Sequence, residues 1–108
     1  MNTIKKLNNV EEYNSFLENN NHAVVKISSA WCGPCKTLER TIINLDLNKI
    51  NETSFGEIDV DNEEFENLLS ELNIRGIPVM IYYNNGQEVS RSVGLVGTED
   101  IYNKLSTL

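Results

Sequence analysis

Apolar residues recur along this chain with two periods, and the periods alternate. Val10, Tyr13 and Leu17 stand at i, i+3 and i+7, one face of a helix, with Asn8 or Asn9 placed to cap it. Residues 23–27, Ala-Val-Val-Lys-Ile, are nearly continuous in apolar side chains, as buried parallel strands are, and Lys26 is the one interruption. Leu38, Ile42 and Leu45 stripe a second helix over 36–47. It begins near Cys32, with Pro34 in the first turn, where a missing N–H costs nothing. Residues 54–60 read as the next strand. Phe65, Leu68, Leu69 and Leu72 repeat the helical spacing. Residues 79–83 and 88–93 read as two strands joined by a hairpin over 84–87, in which Gly86 takes positive φ. Ile101, Leu105 and Leu108 mark a last helix, with Thr98 as its cap and Glu99 and Asp100 in the favourable first turn. Residues 4–7 form a short first strand.

The order is therefore β-α-β-α-β-α-β-β-α. Strands alternating with helices imply a parallel sheet, and the late hairpin adds antiparallel strands, so the fold class is α/β with a mixed sheet and helices on both faces. The 108 residues suffice for one domain spanning 1–108. A net charge of −7, with no basic cluster, argues against nucleic acid or an anionic membrane surface as partner. No stretch of about 18 apolar residues is present to form a membrane span. The first nine residues lack the apolar core of a signal peptide, and a cytoplasmic location is the expectation. The frequent asparagines mark turns.

Chemistry concentrates at Trp31-Cys32-Gly33-Pro34-Cys35, which holds both cysteines of the chain. Two thiols separated by two residues close a small ring and reopen it, the behaviour of a reversible dithiol. A strand before the motif and a helix after it are the context such a redox motif requires. Cys32 lies at the helix N-terminus, where unpaired N–H groups and the macrodipole favour negative charge, so it is the attacking thiolate. Cys35 lies one turn further in and is the resolving thiol, which releases the partner by closing the disulfide. A purely structural disulfide over so short a loop would restrain the unfolded chain little. A zinc site wants four ligands, and His22, in a polar loop, reads as a surface residue.

The sequence resembles the thioredoxin family over essentially its whole length. The resemblance rests on residues 31–36, Trp-Cys-Gly-Pro-Cys-Lys, on 74–78, Ile-Arg-Gly-Ile-Pro, on Asn85-Gly86 and on Val93-Gly94, in the family's order and approximate spacing. It implies the thioredoxin fold, a three-layer α/β/α arrangement of about five strands and four helices, and a general protein-disulfide reductase and electron carrier. Pro78 matches the family's cis-proline beside the dithiol. Trp31, Gly33, Pro34, Gly76, Ile77, Val93 and Gly94 would form the apolar rim that docks partners. Asp61 matches a position that supports the tryptophan region, and as a helix cap either Asp61 or Asn62 would serve. The implied partners are a flavin-dependent thioredoxin reductase that draws on NADPH, and disulfide-containing proteins such as ribonucleotide reductase, peroxiredoxin or methionine sulfoxide reductase. The chain has no Gly-rich dinucleotide fingerprint, so no cofactor is expected to bind it directly. Gly-Pro between the cysteines resembles the reducing members of the family. An acidic surface with one apolar rim suits a monomer that binds transiently.

Three positions depart from the family pattern. The family's buried aspartate is Lys26 here, and a lysine on the next strand is Glu57. Each alone is a costly charge inside a sheet, and together they compensate. The family aspartate takes a proton from the second cysteine, so Lys26 and Glu57 are expected to pair behind the dithiol and serve that transfer jointly, with Glu57 or a neutral Lys26 as base. The bland alternative is a Lys26 that snorkels to the sheet edge. Ser28 stands where a second tryptophan is common, and Arg40 replaces a helix-kinking proline, which predicts a straighter second helix. Two other functions compete. One is a reductant dedicated to a single partner protein. The other is a binding scaffold whose thiols are incidental, which serine at both cysteines would leave working.

Overall fold

Val24, Val25 and Ile27 are β-branched and suit a pleated surface, and β2 (His22–Ser28), which carries them, is the central strand. The computed structural model describes residues 1–108 and builds one five-stranded sheet. Its other strands are β1 (Ile4–Lys6), β3 (Ser54–Asp59), β4 (Val79–Asn84) and β5 (Gln87–Val93), in the order β1-β3-β2-β4-β5. The first three strands of that order are parallel, and β4 and β5 are added antiparallel. Lys26 is opposite Glu57 on one side and Met80 on the other.

Alternation along the strands divides the core into two layers. Helix α1 (Val10–Asn19) and helix α3 (Glu66–Glu71) cover one face, where Tyr13, Phe16, Val25, Ile27, Ile58 and Ile81 pack together. Helix α2 (Gly33–Ile43) and helix α4 (Thr98–Leu105) cover the other, where Leu38, Ile42, Phe55, Met80, Tyr82 and Ile101 pack. The mixed sheet with helices on both faces is the architecture expected from the sequence. Asn9 caps α1, accepting the Glu12 N–H at 2.8 Å. Asn85 and Gly86 both have positive φ, 52° and 81°, so the β4–β5 hairpin is the two-residue turn that the Asn-Gly pair favours. A Cβ on Gly56 would come within 3.0 Å of the Phe16 ring, so glycine lets α1 lie close on β3.

Several local readings are corrected. Helix α2 starts at Gly33, in keeping with a start near Cys32, but ends at Ile43 rather than running to 47, because Asn44 turns both its backbone N–H and its side chain back onto the Arg40 carbonyl. Leu45 is buried all the same, from the turn beyond the helix, and a 3-10 turn follows at Leu47–Lys49. The third helix is preceded by a 3-10 turn, Glu63–Phe65, and Phe65 is the residue before α3 rather than part of it. Thr98 does not cap α4: it is the first helical residue, and Gly97 precedes it with no side-chain cap. His22 is not in a loop but opens β2, and its Nδ1 lies 2.9 Å from the Asn51 carbonyl.

Candidate redox site

The sheet brings four chain segments to one end. The end of β2 leads into Cys32, the end of β3 leads to Asp61, β4 begins just after Pro78, and β5 finishes at Val93. Because β4 runs antiparallel to β2, the start of one meets the end of the other.

Cys32 and Cys35 are joined in a disulfide, with their Cα atoms 5.2 Å apart. Cys32 is the residue before α2, and its Sγ accepts the Cys35 N–H at 3.2 Å. That contact and the helix N-terminus both stabilise negative charge on the Cys32 sulfur when the bond is open. Cys32 keeps 7% exposure against 1% for Cys35, so an incoming disulfide meets Cys32 first. Pro34 occupies the first turn of α2.

Trp31 lies 70% exposed beside the disulfide, and its Nε1–H donates to Asp61 at 2.7 Å. Asp61 is thus the partner of the indole rather than a cap. Asn62 takes the capping role, accepting the Glu64 N–H at 3.0 Å. The Ile77–Pro78 bond is cis, and Pro78 is buried. The Gly94 N–H donates to the Pro78 carbonyl at 2.7 Å, and Val93 pairs with Val79, so 76–78 and 93–94 form one continuous rim. Gly33, Pro34, Gly76 and Val93 are exposed, and Ile77 and Gly94 half-buried. Space around Gly33 and Gly76 is open to a partner backbone.

Behind the disulfide, Lys26 is 2% exposed, and its Nζ lies 2.5 Å from Glu57 Oε1. The Ser28 hydroxyl donates to the same carboxylate oxygen at 3.2 Å. Lys26 therefore does not snorkel to the sheet edge. A second carboxylate, Glu39 on α2, places Oε2 3.7 Å from the Lys26 Nζ. These groups and Cys35 line one cleft of about 380 Å³. The sequence reading named Lys26 and Glu57 but missed Glu39. Its one sequence signal is that it follows Cys35 by four residues and so shares its helix face. Helix α2 runs through Arg40, which is exposed, without interruption. No cluster of three or more His, Cys, Asp or Glu side chains is placed to hold a metal ion.

The family model described as Thioredoxin matches residues 4–107. The chain is 31% identical over 96 residues to Thioredoxin H2 of Arabidopsis thaliana, covering 89% of this chain and 69% of that protein. It is 33% identical over 104 residues to Putative thioredoxin-5 of Dictyostelium discoideum, covering 94% of this chain and 97% of the relative. A match of 30% over 90 residues to the Bifunctional thioredoxin reductase/thioredoxin of Mycobacterium leprae spans 83% of this chain and 19% of that longer protein. Among solved structures, an N21Q mutant thioredoxin from Halobacterium salinarum superposes with a TM-score of 0.84 at 23% identity, over 95% of this chain and 88% of its own.

Proposed function

The chain belongs to the thioredoxin family, and from that membership we propose the reaction it carries out and the partners it serves. It is a protein-disulfide oxidoreductase that works by dithiol–disulfide exchange at Cys32 and Cys35. The observation that carries the reading is the placement of the pair: Cys32 at the start of α2 and the more accessible of the two, Cys35 one turn inside and all but sealed. Cys32 thiolate attacks a target disulfide, one target sulfur leaves, and a mixed disulfide remains. Cys35 then attacks the Cys32 sulfur, the second target thiol leaves, and two electrons have passed to the target.

As a general reductant, the protein docks an extended target segment on the rim of Trp31, Ile77 and Val93. Gly33, Gly76 and Gly94 let the target backbone approach, and Pro78 packs beside the disulfide. A flavin-dependent thioredoxin reductase recharges it at the expense of NADPH. The natural fusion of a reductase with a thioredoxin in the Mycobacterium leprae relative supports that pairing. Ribonucleotide reductase, peroxiredoxin and methionine sulfoxide reductase are the classes of target that the family suggests. A reducing compartment such as the cytoplasm suits a chain whose two cysteines are both in the site. Lys26 and Glu57 act behind the dithiol, with Glu57 taking the Cys35 proton across the cleft that both line.

The test is the equilibrium of the Cys32/Cys35 pair in graded glutathione or dithiothreitol buffers, followed by Trp31 fluorescence or thiol alkylation. A potential more reducing than the glutathione pool is expected. A potential at or above that pool would replace the reductase reading with an oxidising or isomerising one.

A further inference from the structure

We propose that Glu39 is the stand-in counter-ion of Lys26, holding the ammonium while Glu57 carries the proton taken from Cys35. The inference rests on the reading of Glu57 as that base. In the resting arrangement Glu57 is the carboxylate in hydrogen-bond contact with Lys26, whose side chain is 2% exposed. Once Glu57 accepts a proton it is neutral, and Lys26 is left with no contacting anion in a place where an unpaired charge is strongly disfavoured. Proton transfer to Glu57 is then uphill. A second carboxylate within reach removes the obstacle.

Glu39 is built for that reach. Its Oε2 is 3.7 Å from Nζ, close enough for attraction and too far for a hydrogen bond. A movement of roughly 1 Å closes the contact. Its side chain is 48% exposed, so it moves toward the ammonium from water at little desolvation cost. It also projects from the same face of α2 as Cys35, so the thiol and the counter-ion share one rigid element. The other charged groups facing the cleft are Lys6 from β1, Asp59 from β3, and Lys36 and Arg40 from α2. The β4 residue opposite Lys26 is Met80, which brings no charge. Glu39 and Glu57 are the carboxylates within ion-pair distance of Lys26.

The step balances as Cys35–SH plus Glu57–COO⁻ giving Cys35–S⁻ plus Glu57–COOH, with no electron moved. Cys35 sulfur then bonds to Cys32 sulfur, the bond from Cys32 to the target sulfur breaks, and the target leaves as a thiolate. That thiolate takes the proton back from Glu57 or from water, and Lys26 returns to Glu57.

The experiment is a stopped-flow single turnover of the reduced protein with 5,5′-dithiobis(2-nitrobenzoate), from pH 5.5 to 9. Release of the second thionitrobenzoate reports the Cys35 step. Glu39→Gln is expected to slow that step about threefold to tenfold below pH 7.5, to fade above it as hydroxide removes the Cys35 proton, and to be largely rescued by Glu39→Asp. In a Lys26→Met background Glu39→Gln should have no further effect. If Glu57→Gln slows the step and Glu39→Gln does not, the stand-in role is overturned while the base survives. If Glu57→Gln leaves the rate unchanged across the range, the base reading falls and this inference falls with it. If Glu39→Gln slows the step equally with and without Lys26, Glu39 acts as a plain field on the thiol, and the counter-ion role is overturned.

Discussion

Each face of the sheet holds one polar pair drawn from distant parts of the chain, and the two pairs differ in kind. Under α1, the Tyr13 and Tyr83 hydroxyls meet at 2.7 Å, their rings edge-on with centroids 6.3 Å apart. Under α2, Lys26 and Glu57 meet at 2.5 Å. The tyrosines are neutral, satisfied by each other and packed into the apolar cluster. The ions sit in a cleft that reaches both solvent and Cys35. A neutral pair of this type contributes on the order of 1 kcal/mol net. An ion pair in such a place often contributes nothing beyond what apolar side chains of the same volume would give. The fold thus puts its inexpensive pair in the sealed layer and its costly one next to the reactive sulfur. Stability alone would have favoured an apolar pair there, which is the contrast that the proposed role behind the dithiol accounts for.

The largest effect should come from breaking the costly pair. Lys26→Met leaves the Glu57 carboxylate with only the Ser28 hydroxyl, and Glu57 is 22% exposed, so water relieves part of the loss. Unfolding in urea should show a loss of about 2–3 kcal/mol, below the full penalty for a wholly buried orphan charge. Lys26→Met with Glu57→Met should recover most of it, because the desolvation cost disappears with both charges. A single variant as stable as the parent would erase the contrast between the two faces.

The tyrosine pair offers the same cycle at smaller scale. Tyr13→Phe should cost about 1–2 kcal/mol by orphaning the Tyr83 hydroxyl, and the double replacement by phenylalanine should cost little. The pair also carries a pH signature. Burial pushes both hydroxyls above their ordinary value of 10.0. A raised folded-state value means the folded chain holds these protons more tightly than the unfolded one. Their stabilisation is therefore complete below about pH 10 and declines as pH rises beyond it. Urea midpoints measured from pH 8 to 11.5 should fall in the parent and fall less in the double phenylalanine variant.

These pairs were not equally legible in the sequence. The strand–helix alternation, the Asn-Gly hairpin and the redox motif are local signals, and each was readable within a few residues. Lys26 stood out because a charge inside an apolar strand is locally anomalous; Glu57 was reached only through the family resemblance, and parallel register makes the two neighbours. Tyr13 and Tyr83 gave no such signal, since a tyrosine on an apolar stripe is ordinary and its partner lies 70 residues away. Glu39 looked like one more exposed helix charge. The end of α2 was missed for a different reason: Leu45 keeps the apolar spacing while Asn44 has already ended the helix. Periodicity reports which residues face the core, not whether the backbone between them is still helical. Thr98 was misread because a threonine before two acids looks like a cap wherever the helix begins.

The smallest effect tests whether exposure is what separates the pairs. Glu88 and Arg91 on β5 form a two-pronged ion pair, with both contacts at 2.6 Å, and Arg91 also donates to the Leu72 carbonyl at 2.9 Å. By geometry alone this pair is as good as Lys26–Glu57. It differs in being about a third exposed and away from the disulfide, at 34% for Glu88 and 29% for Arg91. The hydrogen bonds from Arg91 hold the Glu88 carboxyl below its ordinary 4.5. A lowered folded-state value gives stabilisation that is present above the unfolded value and lost as pH falls through the folded one. Solvent screening limits it, so Glu88→Gln should cost about 0.5 kcal/mol at neutral pH and low salt, less in about 0.5 M salt, and nothing near pH 3. Should it cost as much as Lys26→Met, burial would not be what makes the pair behind the dithiol expensive. The functional argument for that pair would then have to stand on the cleft and Cys35 alone.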